Sequence, residues 1–404
     1  MSGNNTRKTG YVSLTGFSAL FIGIGIGRFC YPPLIPALIQ HHWFSVAQAD
    51  YLGATNLAGY VIGAILAWKI SHKIPAPRLI KAALLISILT FAGCAFPLPF
   101  IFYSLLRLLE GFTGAMIMVL TPSTIFNYIP DDKKGLATGI MFSGLGLGIV
   151  MVGSLTPWLV SKGLSAPWYF YALLSIVLFI IFYNGWPASA PVIDQQAADA
   201  TTNTRVKLTK AMLLLMLIYA CNAIGFAPFT VFWVDYITRG LDLGTHTGNL
   251  MWLLFGLGGA AGPLLSGLIA DKAGIARSLR ALLFLDGFSV LLTVISSSVV
   301  TLALISFLAG GTGMIITSLV AARVSELVDK AHQKKVWGWM TILFSVLYAG
   351  DAYLCSYLFS VTNSYHLLFL ISGSVLIGGG IINLLFLFFK YKPQITNKAR
   401  FSNH

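Results

Sequence analysis

The chain has little charge and is especially poor in acidic residues. Charged side chains make up 10% of its 404 residues, and 13 Asp and Glu stand against 26 Lys and Arg. A soluble globular domain carries about 25% charged residues, so this composition excludes that class of protein. A hydrophobic content of 57% and a mean hydropathy of +0.81 indicate an integral membrane protein instead.

Residue patterns typical of catalysis or metal binding are also missing. The seven histidines show no ligand spacing, and no nucleophile–base pair is recognisable. The stretch Gly256-x-Gly258-x-x-Ala261 lacks the preceding strand that a dinucleotide-binding turn requires. We therefore expect no enzyme activity, no catalytic residues, no cofactor and no metal. Small core residues are the expected role of the four cysteines, which lie in apolar segments: Cys30, Cys94, Cys221 and Cys355.

Long apolar runs occupy most of the chain. About 20 apolar residues are needed to cross a bilayer as a helix, and twelve runs reach that length. Helices are expected because no water is present in the bilayer to satisfy free backbone groups. The predicted fold is an all-α integral membrane protein of twelve transmembrane helices, near 11–39, 48–70, 79–97, 100–124, 136–160, 167–186, 209–237, 248–270, 279–297, 299–321, 336–360 and 365–389.

The formal net charge of +13 does not indicate a nucleic-acid partner. With the N-terminus placed in the cytoplasm, 22 of the 26 Lys and Arg fall on the cytoplasmic side, as the positive-inside rule requires. Only Lys162 and Arg239 lie in outer loops. We expect a multi-pass protein of the bacterial cytoplasmic (inner) membrane, in contact with lipid, with both termini cytoplasmic.

The sequence repeats itself about 200 residues apart. Residues 105–117 match residues 304–316 at an offset of 199, with shared glycines and a shared threonine. A second offset, 203, pairs glycines and a lysine of span two with their counterparts in span eight: Gly53, Gly59 and Lys69 with Gly256, Gly262 and Lys272. Repeated halves are typical of secondary transporters. We predict two pseudo-symmetric six-helix bundles, residues 1–186 and 209–404, joined by a polar cytoplasmic linker, 187–208.

Three local motifs resemble the major facilitator superfamily. Residues 267–274 read Gly-Leu-Ile-Ala-Asp-Lys-Ala-Gly, similar to the family's cytoplasmic-loop signature, and Arg107-x-x-x-Gly111 resembles its fourth-helix motif. Residues 27–36, Gly-Arg-Phe-Cys-Tyr-Pro-Pro-Leu-Ile-Pro, resemble the first helix of a little-characterised bacterial branch. The resemblance covers nearly the whole chain and implies alternating access, with helices one, four, seven and ten lining a central cavity.

The resemblance also implies a gate. Gly267, Asp271, Lys272 and Gly274 match the loop signature, in which the acid helps to hold the cytoplasmic gate shut. The equivalent loop of the first half lacks the acid, so the gate contact would depend mainly on Asp271, near the positive end of helix five. The alternative is a solvated loop acid that only fixes a turn.

Charged residues inside spans cost about 2.5–3.5 kcal/mol each on insertion scales, so they suggest function. Arg28 and Arg107 lie at similar depths in spans one and four, and a guanidinium suits a carboxylate because its planar fork donates two parallel hydrogen bonds. Tyr31 flanks Arg28, and Tyr103 shares the face of Arg107. The alternative is that Arg28 simply pairs with Glu110.

Acids inside the spans could carry protons. Glu110 lies three residues after Arg107 on the same face, and a substrate anion that engaged the arginine would release Glu110 to take a proton. A permanent salt bridge is the alternative. Asp351 in span eleven is a second proton-coupling candidate, whereas Asp286 in span nine reads as a packing acid.

Helix seven carries a mixed polar and aromatic stripe that includes Asn222 and Phe226. Its 3-4 spacing places these residues on one face, which would form the second wall of a binding site. Plain helix packing is the alternative. The combined prediction is a proton-coupled secondary transporter of a small organic anion, a carboxylate or polycarboxylate. A proton-driven multidrug or metabolite exporter is the runner-up, and a non-transporting sensor or scaffold is disfavoured.

Overall fold

The computed structural model describes residues 2–71, 73–126, 128–130, 133–186 and 208–390. Within these ranges every regular element is helical. The α-helices are α1 (Ser2–Leu20), α2 (Tyr31–Gln40), α3 (Val46–Ser71), α4 (Ala76–Cys94), α5 (Phe100–Phe126), α6 (Lys134–Val160), α7 (Ser165–Phe182), α8 (Lys210–Asp235), α9 (Gly244–Ala273), α10 (Ile275–Ile295), α11 (Val299–Leu327), α12 (Lys330–Thr362) and α13 (Tyr365–Lys390).

The prediction of an all-α protein with twelve spans is confirmed in the described part of the chain. Twelve helical segments there are long and apolar enough to cross a membrane. The first combines α1, a π-helical segment (Phe21–Ile26) and α2, and each helix from α3 to α13 supplies one more. Large apolar side chains such as Leu89, Ile101 and Tyr353 remain exposed, as expected for a surface that faces lipid rather than water. The predicted linker, 187–208, lies outside the described residues except for Leu208.

The sequence repeat reappears as a repeat of helix contacts. A Cβ on Gly59 of α3 would overlap the carbonyl of Leu108 in α5, and one on Gly258 of α9 would overlap the carbonyl of Phe307 in α11. Both pairs differ by 199 residues. The backbones can approach this closely only because these positions lack side chains. The pairs α3–α5 and α9–α11 are therefore equivalent packing units.

This register corrects the expected offset of 203 between spans two and eight. The position of the second half that is equivalent to Gly59 by its contacts is Gly258, four residues before Gly262. Four residues are close to one helical turn of 3.6 residues. Glycines at either offset therefore occupy the same helix face, and glycine spacing alone cannot distinguish the two registers.

The two halves meet along α6–α9 and along α3–α12. Where α6 crosses α9, a Cβ on Gly146 would overlap the backbone of Gly259 and Ala260, and one on Gly139 would lie 2.7 Å from the carbonyl of Pro263. Small residues allow this close crossing. The central space between the halves holds the candidate site.

Candidate functional site

The first span is distorted immediately before Arg28. After the π-helical segment, the Gly27 N–H donates to the carbonyl of Ile22 at 3.0 Å, and residues 27–30 form a turn before α2 begins at Tyr31. A Cβ on Gly25 would lie 2.9 Å from the Gly144 carbonyl of α6, so the glycines allow this irregular segment to pack closely. Such π segments are frequent at functional sites, and this one determines where Arg28 lies.

A cavity with an empty volume of about 420 Å³ lies between the halves. Arg28 is the only charged residue among the described residues that line it. The others are mainly aromatic and apolar and come from both halves: Ile24, Phe29, Tyr60, Met118, Leu145, Tyr219, Asn222, Phe226, Gly313, Met314, Thr317 and Phe344. The arrangement is a mostly apolar chamber with one fixed positive charge, the usual composition of a small-molecule site.

Aromatic rings from both halves surround the Arg28 guanidinium. Its Cζ lies 4.2 Å from the ring centroid of Tyr348 in α12, 5.3 Å from that of Tyr60 in α3 and 5.6 Å from that of Phe29. Each such cation–π contact stabilises the charge by about 0.5–2 kcal/mol. The Nη2 atom is buried and has no hydrogen-bond partner in the described part of the chain. The guanidinium is therefore surrounded by aromatic rings and retains one unpartnered donor group.

Arg107 lies elsewhere, inside the first half. It is 1% exposed, its Nη1 donates to the Gly27 carbonyl at 3.3 Å, and its Cζ lies 4.7 Å from the Tyr31 ring centroid. The Asn56 amide donates to the Arg107 carbonyl at 3.1 Å, so Asn56 joins α3 to α5. Arg107 is not among the residues that line the cavity, and its contacts instead hold the turn next to Arg28.

Glu110 is buried beside the same turn. Its Oε2 is hydrogen-bonded to the hydroxyl of Thr90 in α4, and its Oε1 has no partner among the described residues. A Cβ on Gly27 would overlap Oε1. Within the described ranges no salt bridge joins Glu110 to Arg28 or Arg107. Glu110 thus contacts the residue before Arg28 without pairing with either arginine.

The second half has its own buried acid at the equivalent helix contact. The Thr312 hydroxyl of α11 is 2.7 Å from Oδ1 of Asp286 in α10, and at the same offset of 199 the hydroxyls of Ser87 and Thr113 are 2.8 Å apart. Asp286 is 3% exposed. A polar contact is therefore present between equivalent helices of both halves. A hydroxyl group, Ser87, takes part in the first half, and a carboxyl group, Asp286, takes its place in the second.

The remaining predicted binding residues divide into two groups. Asn222 and Phe226 of α8 line the cavity, and the Asn222 Oδ1 is buried without a partner in the described chain. Tyr31 and Tyr103 do not line it. The Tyr31 hydroxyl donates to the Ala49 carbonyl at 2.8 Å, and the Tyr103 ring packs against Phe44 with centroids 4.9 Å apart. The two tyrosines thus lie in the packing of the first half.

Asp351 and the gate residues lie away from the cavity lining. Asp351 of α12 is 8% exposed, and the Cys355 thiol is 3.6 Å from its Oδ2. Lys272 is exposed, and Gly274 ends α9 with a φ of 79°, a conformation that favours glycine. The surroundings of Gly267 and the side chain of Asp271 lie outside the described residues, and so does any cap by Asp271 on α6.

Three residues that contact the central charges are not among the predicted site residues. Tyr348 and Tyr60 flank Arg28, and Thr90 bonds Glu110. The signal for Tyr348 was its helical spacing from Phe344, whose ring stacks on it at 5.8 Å. Thr90 had no signal, because nothing in the sequence indicates which neighbouring helix faces Glu110.

Contacts between the halves flank the cavity on both sides. Toward the end at which α1 begins, the Trp337 indole donates to the Met118 carbonyl at 3.1 Å and its ring meets that of Phe142 at 6.4 Å. Toward the opposite end, the rings of Phe29 and Trp252 lie 6.2 Å apart. These contacts join the two halves on either side of the cavity.

Residues that could hold a metal are not grouped in the described chain, where no cluster of three or more His, Cys, Asp or Glu occurs. The four cysteines are free and buried. The site therefore provides one guanidinium, the amide group of Asn222, aromatic rings and a neighbouring buried carboxyl group, together with the hydroxyls of Tyr60, Tyr219 and Thr317.

A family model described as "Uncharacterised MFS-type transporter YbfB" matches residues 20–384. The "Uncharacterized MFS-type transporter YceJ" of Bacillus subtilis (strain 168) is 22% identical over 282 residues, 67% of this chain and 70% of the relative. The "Gallate transporter" of Pseudomonas putida is 22% identical over 291 residues, 64% of this chain and 65% of the relative. The "Chloramphenicol resistance protein" of Streptomyces lividans is 27% identical over 262 residues, 62% and 64% of the two chains.

Among solved structures, the crystal structure of the human organic anion transporter MFSD10 (TETRAN) superimposes with a TM-score of 0.75. The match covers 93% of this chain and 99% of that chain at 15% sequence identity. At this identity the likeness concerns the fold.

Proposed function

The chain belongs to the family of MFS-type transporters whose model spans residues 20–384, and on that premise we propose that it moves a small organic anion across the membrane by alternating access. One observation carries the proposal: Arg28 brings a positive charge into the cavity between the halves, and no described lining residue is acidic. The names of the gallate and organic anion transporters among the similar proteins agree with an anionic solute.

The surroundings of Arg28 favour a carboxylate ligand. Tyr348 and Tyr60 contact the guanidinium through their rings, and its Nη2 group has no hydrogen-bond partner among the described residues. A hydrogen bond between charged partners contributes about 1.5–3 kcal/mol, and a carboxylate accepts two in parallel from an arginine. Because no acid occupies this position, a substrate carboxylate would not have to displace an existing ion pair.

Transport is proposed to be coupled to protons through Glu110. Buried Arg107 is always charged, so an ionised Glu110 compensates it, whereas a protonated Glu110 can donate to Thr90. The Thr90 hydroxyl is also 2.7 Å from the Ser87 carbonyl, and it can donate there when Glu110 carries the proton. Thr90 can therefore bond Glu110 Oε2 in both states, as a proton carrier needs, while Oε1 has no partner among the described residues. Asp351 remains a second candidate.

The proposed proton carrier, Glu110, contacts the chain one residue before the proposed substrate ligand, Arg28. Arg107 holds the Gly27 carbonyl, Glu110 contacts the Gly27 Cα region, and Arg28 follows directly. A carboxylate that draws Arg28 away from Tyr348 would shift Gly27 and disturb both contacts. This gives a physical route by which substrate binding changes the proton affinity of Glu110.

Alternating access is proposed to use the contacts that flank the cavity. Separation of Trp337 from Met118 would open one end, and separation of Phe29 from Trp252 would open the other. Arg28 and Tyr348 belong to different halves, so their contact forms when the halves close around the site and breaks when they separate. We propose that the Trp337 end is cytoplasmic, that residues 1–186 and 209–404 move as two bundles in the bacterial inner membrane, and that the loop around Asp271 helps to close that end.

Uptake by proteoliposomes tests the proposal. The full chain is reconstituted, a pH gradient is imposed, and labelled organic anions and cations are offered in parallel. Anion accumulation that depends on the gradient and falls at least tenfold in Arg28→Gln is expected. Arg239→Gln is the matched control, because Arg239 is exposed and pairs with Asp235 away from the cavity. Accumulation of cations alone, unchanged in Arg28→Gln, would refute the anion assignment.

A proton-driven exporter is the second candidate. The aromatic lining of the cavity suits apolar drugs, and one relative is a chloramphenicol resistance protein. Efflux of neutral or cationic drugs from loaded vesicles, with no dependence on Arg28, would favour this candidate. Saturable anion transport that requires Arg28 would exclude it as the main activity.

A further inference from the structure

Two residues that line the cavity each have a buried polar atom without a partner. Arg28 Nη2 and Asn222 Oδ1 are both buried without hydrogen-bond partners among the described residues, and both residues line the same cavity. Asn222 is 1% exposed. A buried polar atom left unsatisfied is unfavourable, so each of these atoms favours a ligand group that completes it. Arg28 Nη2 can donate a hydrogen bond to a negatively charged acceptor, and Asn222 Oδ1 can accept one from a donor.

The residues that the second half contributes around the cavity are mainly aromatic. The rings of Tyr219 and Phe344 lie 4.8 Å apart, those of Phe344 and Tyr348 stack at 5.8 Å, and those of Phe226 and Tyr348 lie 6.4 Å apart. Aromatic pairs at these separations gain energy beyond simple burial of apolar area. A planar aromatic ligand would extend this cluster, whereas a saturated ring would not.

The single charge limits the charge of the ligand. Arg28 can match one carboxylate, and no other described lining residue is cationic. A second carboxylate on the ligand would lose its hydration without gaining a cationic partner, which is strongly unfavourable. The cavity therefore selects against polycarboxylates, although composition and the intramembrane charges had left them open.

We infer that the site takes an aromatic monocarboxylic acid that carries a hydrogen-bond donor, such as a ring hydroxyl, away from its carboxylate. This inference rests on the proposed anion transport and narrows its substrate class. The carboxylate binds the Arg28 guanidinium, the ring packs on Tyr219, Phe226 and Phe344, and the hydroxyl donates to Asn222 Oδ1.

Binding to the purified full-length wild-type protein, measured by titration calorimetry, separates the parts of the inference. Benzoate is compared with cyclohexanecarboxylate to test the preference for an aromatic ring. The 3- and 4-hydroxybenzoates are compared with the matching methylbenzoates to test the hydrogen-bond donor. Benzoate is compared with terephthalate to test the effect of a second charge. We expect about 3- to 10-fold tighter binding for the aromatic ring, about 5-fold for the better hydroxyl isomer, and at least 10-fold weaker binding of the dicarboxylate.

Variants test the two polar anchors. Asn222→Leu should abolish the hydroxyl preference and leave benzoate affinity within about 3-fold, and Asn222→Ala repeats the test if the leucine variant is not monodisperse. Arg28→Gln should weaken all the acids at least tenfold, whereas Arg239→Gln should not. The comparisons on the wild-type protein do not depend on any variant.

The outcomes distinguish this inference from the proposed function. If cyclohexanecarboxylate or terephthalate binds as tightly as benzoate, or the hydroxyl preference persists without Asn222, the substrate class is wrong while anion binding at Arg28 stands. If the wild-type protein binds none of these acids but accumulates aliphatic anions in vesicles, the class is again wrong and transport stands. If acids bind equally with and without Arg28, the proposed site is wrong as well.

Discussion

Substitution of Gly146 by alanine tests whether the crossing of α6 and α9 must stay this close. A Cβ at Gly146 would overlap the backbone of Gly259 and Ala260. These are backbone atoms, so no side chain can move aside and the helices must separate. Overpacking of this kind costs about 1–3 kcal/mol. We expect Gly146→Ala to lower both the thermal midpoint in detergent and the transport rate in proteoliposomes.

Gly153→Ala is the matched control on the same helix. Its Cβ would meet Trp252 Cδ1 at 3.4 Å, an ordinary van der Waals contact, with the nearest backbone atoms of α9 at 3.8 Å or more. Both substitutions gain about 1 kcal/mol of helix propensity over glycine, so this gain cancels when they are compared. The remaining difference in stability should be about 1–3 kcal/mol, from the clash alone.

The measurement is the difference between the two variants in midpoint and in initial uptake rate. Gly153→Ala should match or slightly exceed the wild-type protein in stability and keep its transport. Equal midpoints and equal uptake in the two variants would refute the reasoning, because they would show that the halves tolerate a wider crossing without loss.

Three further predictions concern the contacts around the central charges. Thr90→Val keeps the shape of the side chain but removes the hydroxyl bonded to Glu110. It should reduce accumulation driven by a pH gradient at least fivefold, while solute exchange without a gradient continues. An equal loss in both assays would argue against a role in coupling. Tyr348→Leu should weaken carboxylate binding about 2- to 5-fold through loss of one cation–π contact of about 0.5–1 kcal/mol, whereas Tyr348→Phe keeps the ring and should bind acids within twofold. Trp337→Phe loses one hydrogen bond of about 1 kcal/mol to the Met118 carbonyl. A cysteine introduced at Thr317 should then be labelled more readily by a reagent that enters from the Trp337 end of the cavity. Unchanged labelling would contradict the proposal that Trp337 helps to close that end.

The sequence alone was sufficient for the helices and for their number. Long apolar runs predicted twelve spans, and the described chain contains them. It was not sufficient for the register of α3 against α9, because shifts of about one turn keep glycines on the same face. Contacts at Gly59 and Gly258 resolve that register.

Arg28 and Arg107 show why the site was harder to predict than the fold. Their similar depths made them equivalent in sequence, yet only Arg28 lines the cavity. The difference arises from the π-helical segment Phe21–Ile26 and the turn after it, which rotate the chain away from regular helical spacing. Glycines and prolines marked an irregular region there, but no periodicity argument can give the direction of a side chain that follows such a break. The assigned roles of both arginines stay predictions.

The central claim, that the Arg28 guanidinium binds the substrate carboxylate, can be tested by locating a bound acid directly. Crystals of the full chain grown with 4-iodobenzoate give an anomalous signal from iodine and electron density for the carboxylate. We expect an iodine peak in the cavity on the Asn222 side, with both carboxylate oxygens within hydrogen-bond distance of Arg28. A peak outside the cavity, or a carboxylate held by Arg107 or by no arginine, would contradict the account.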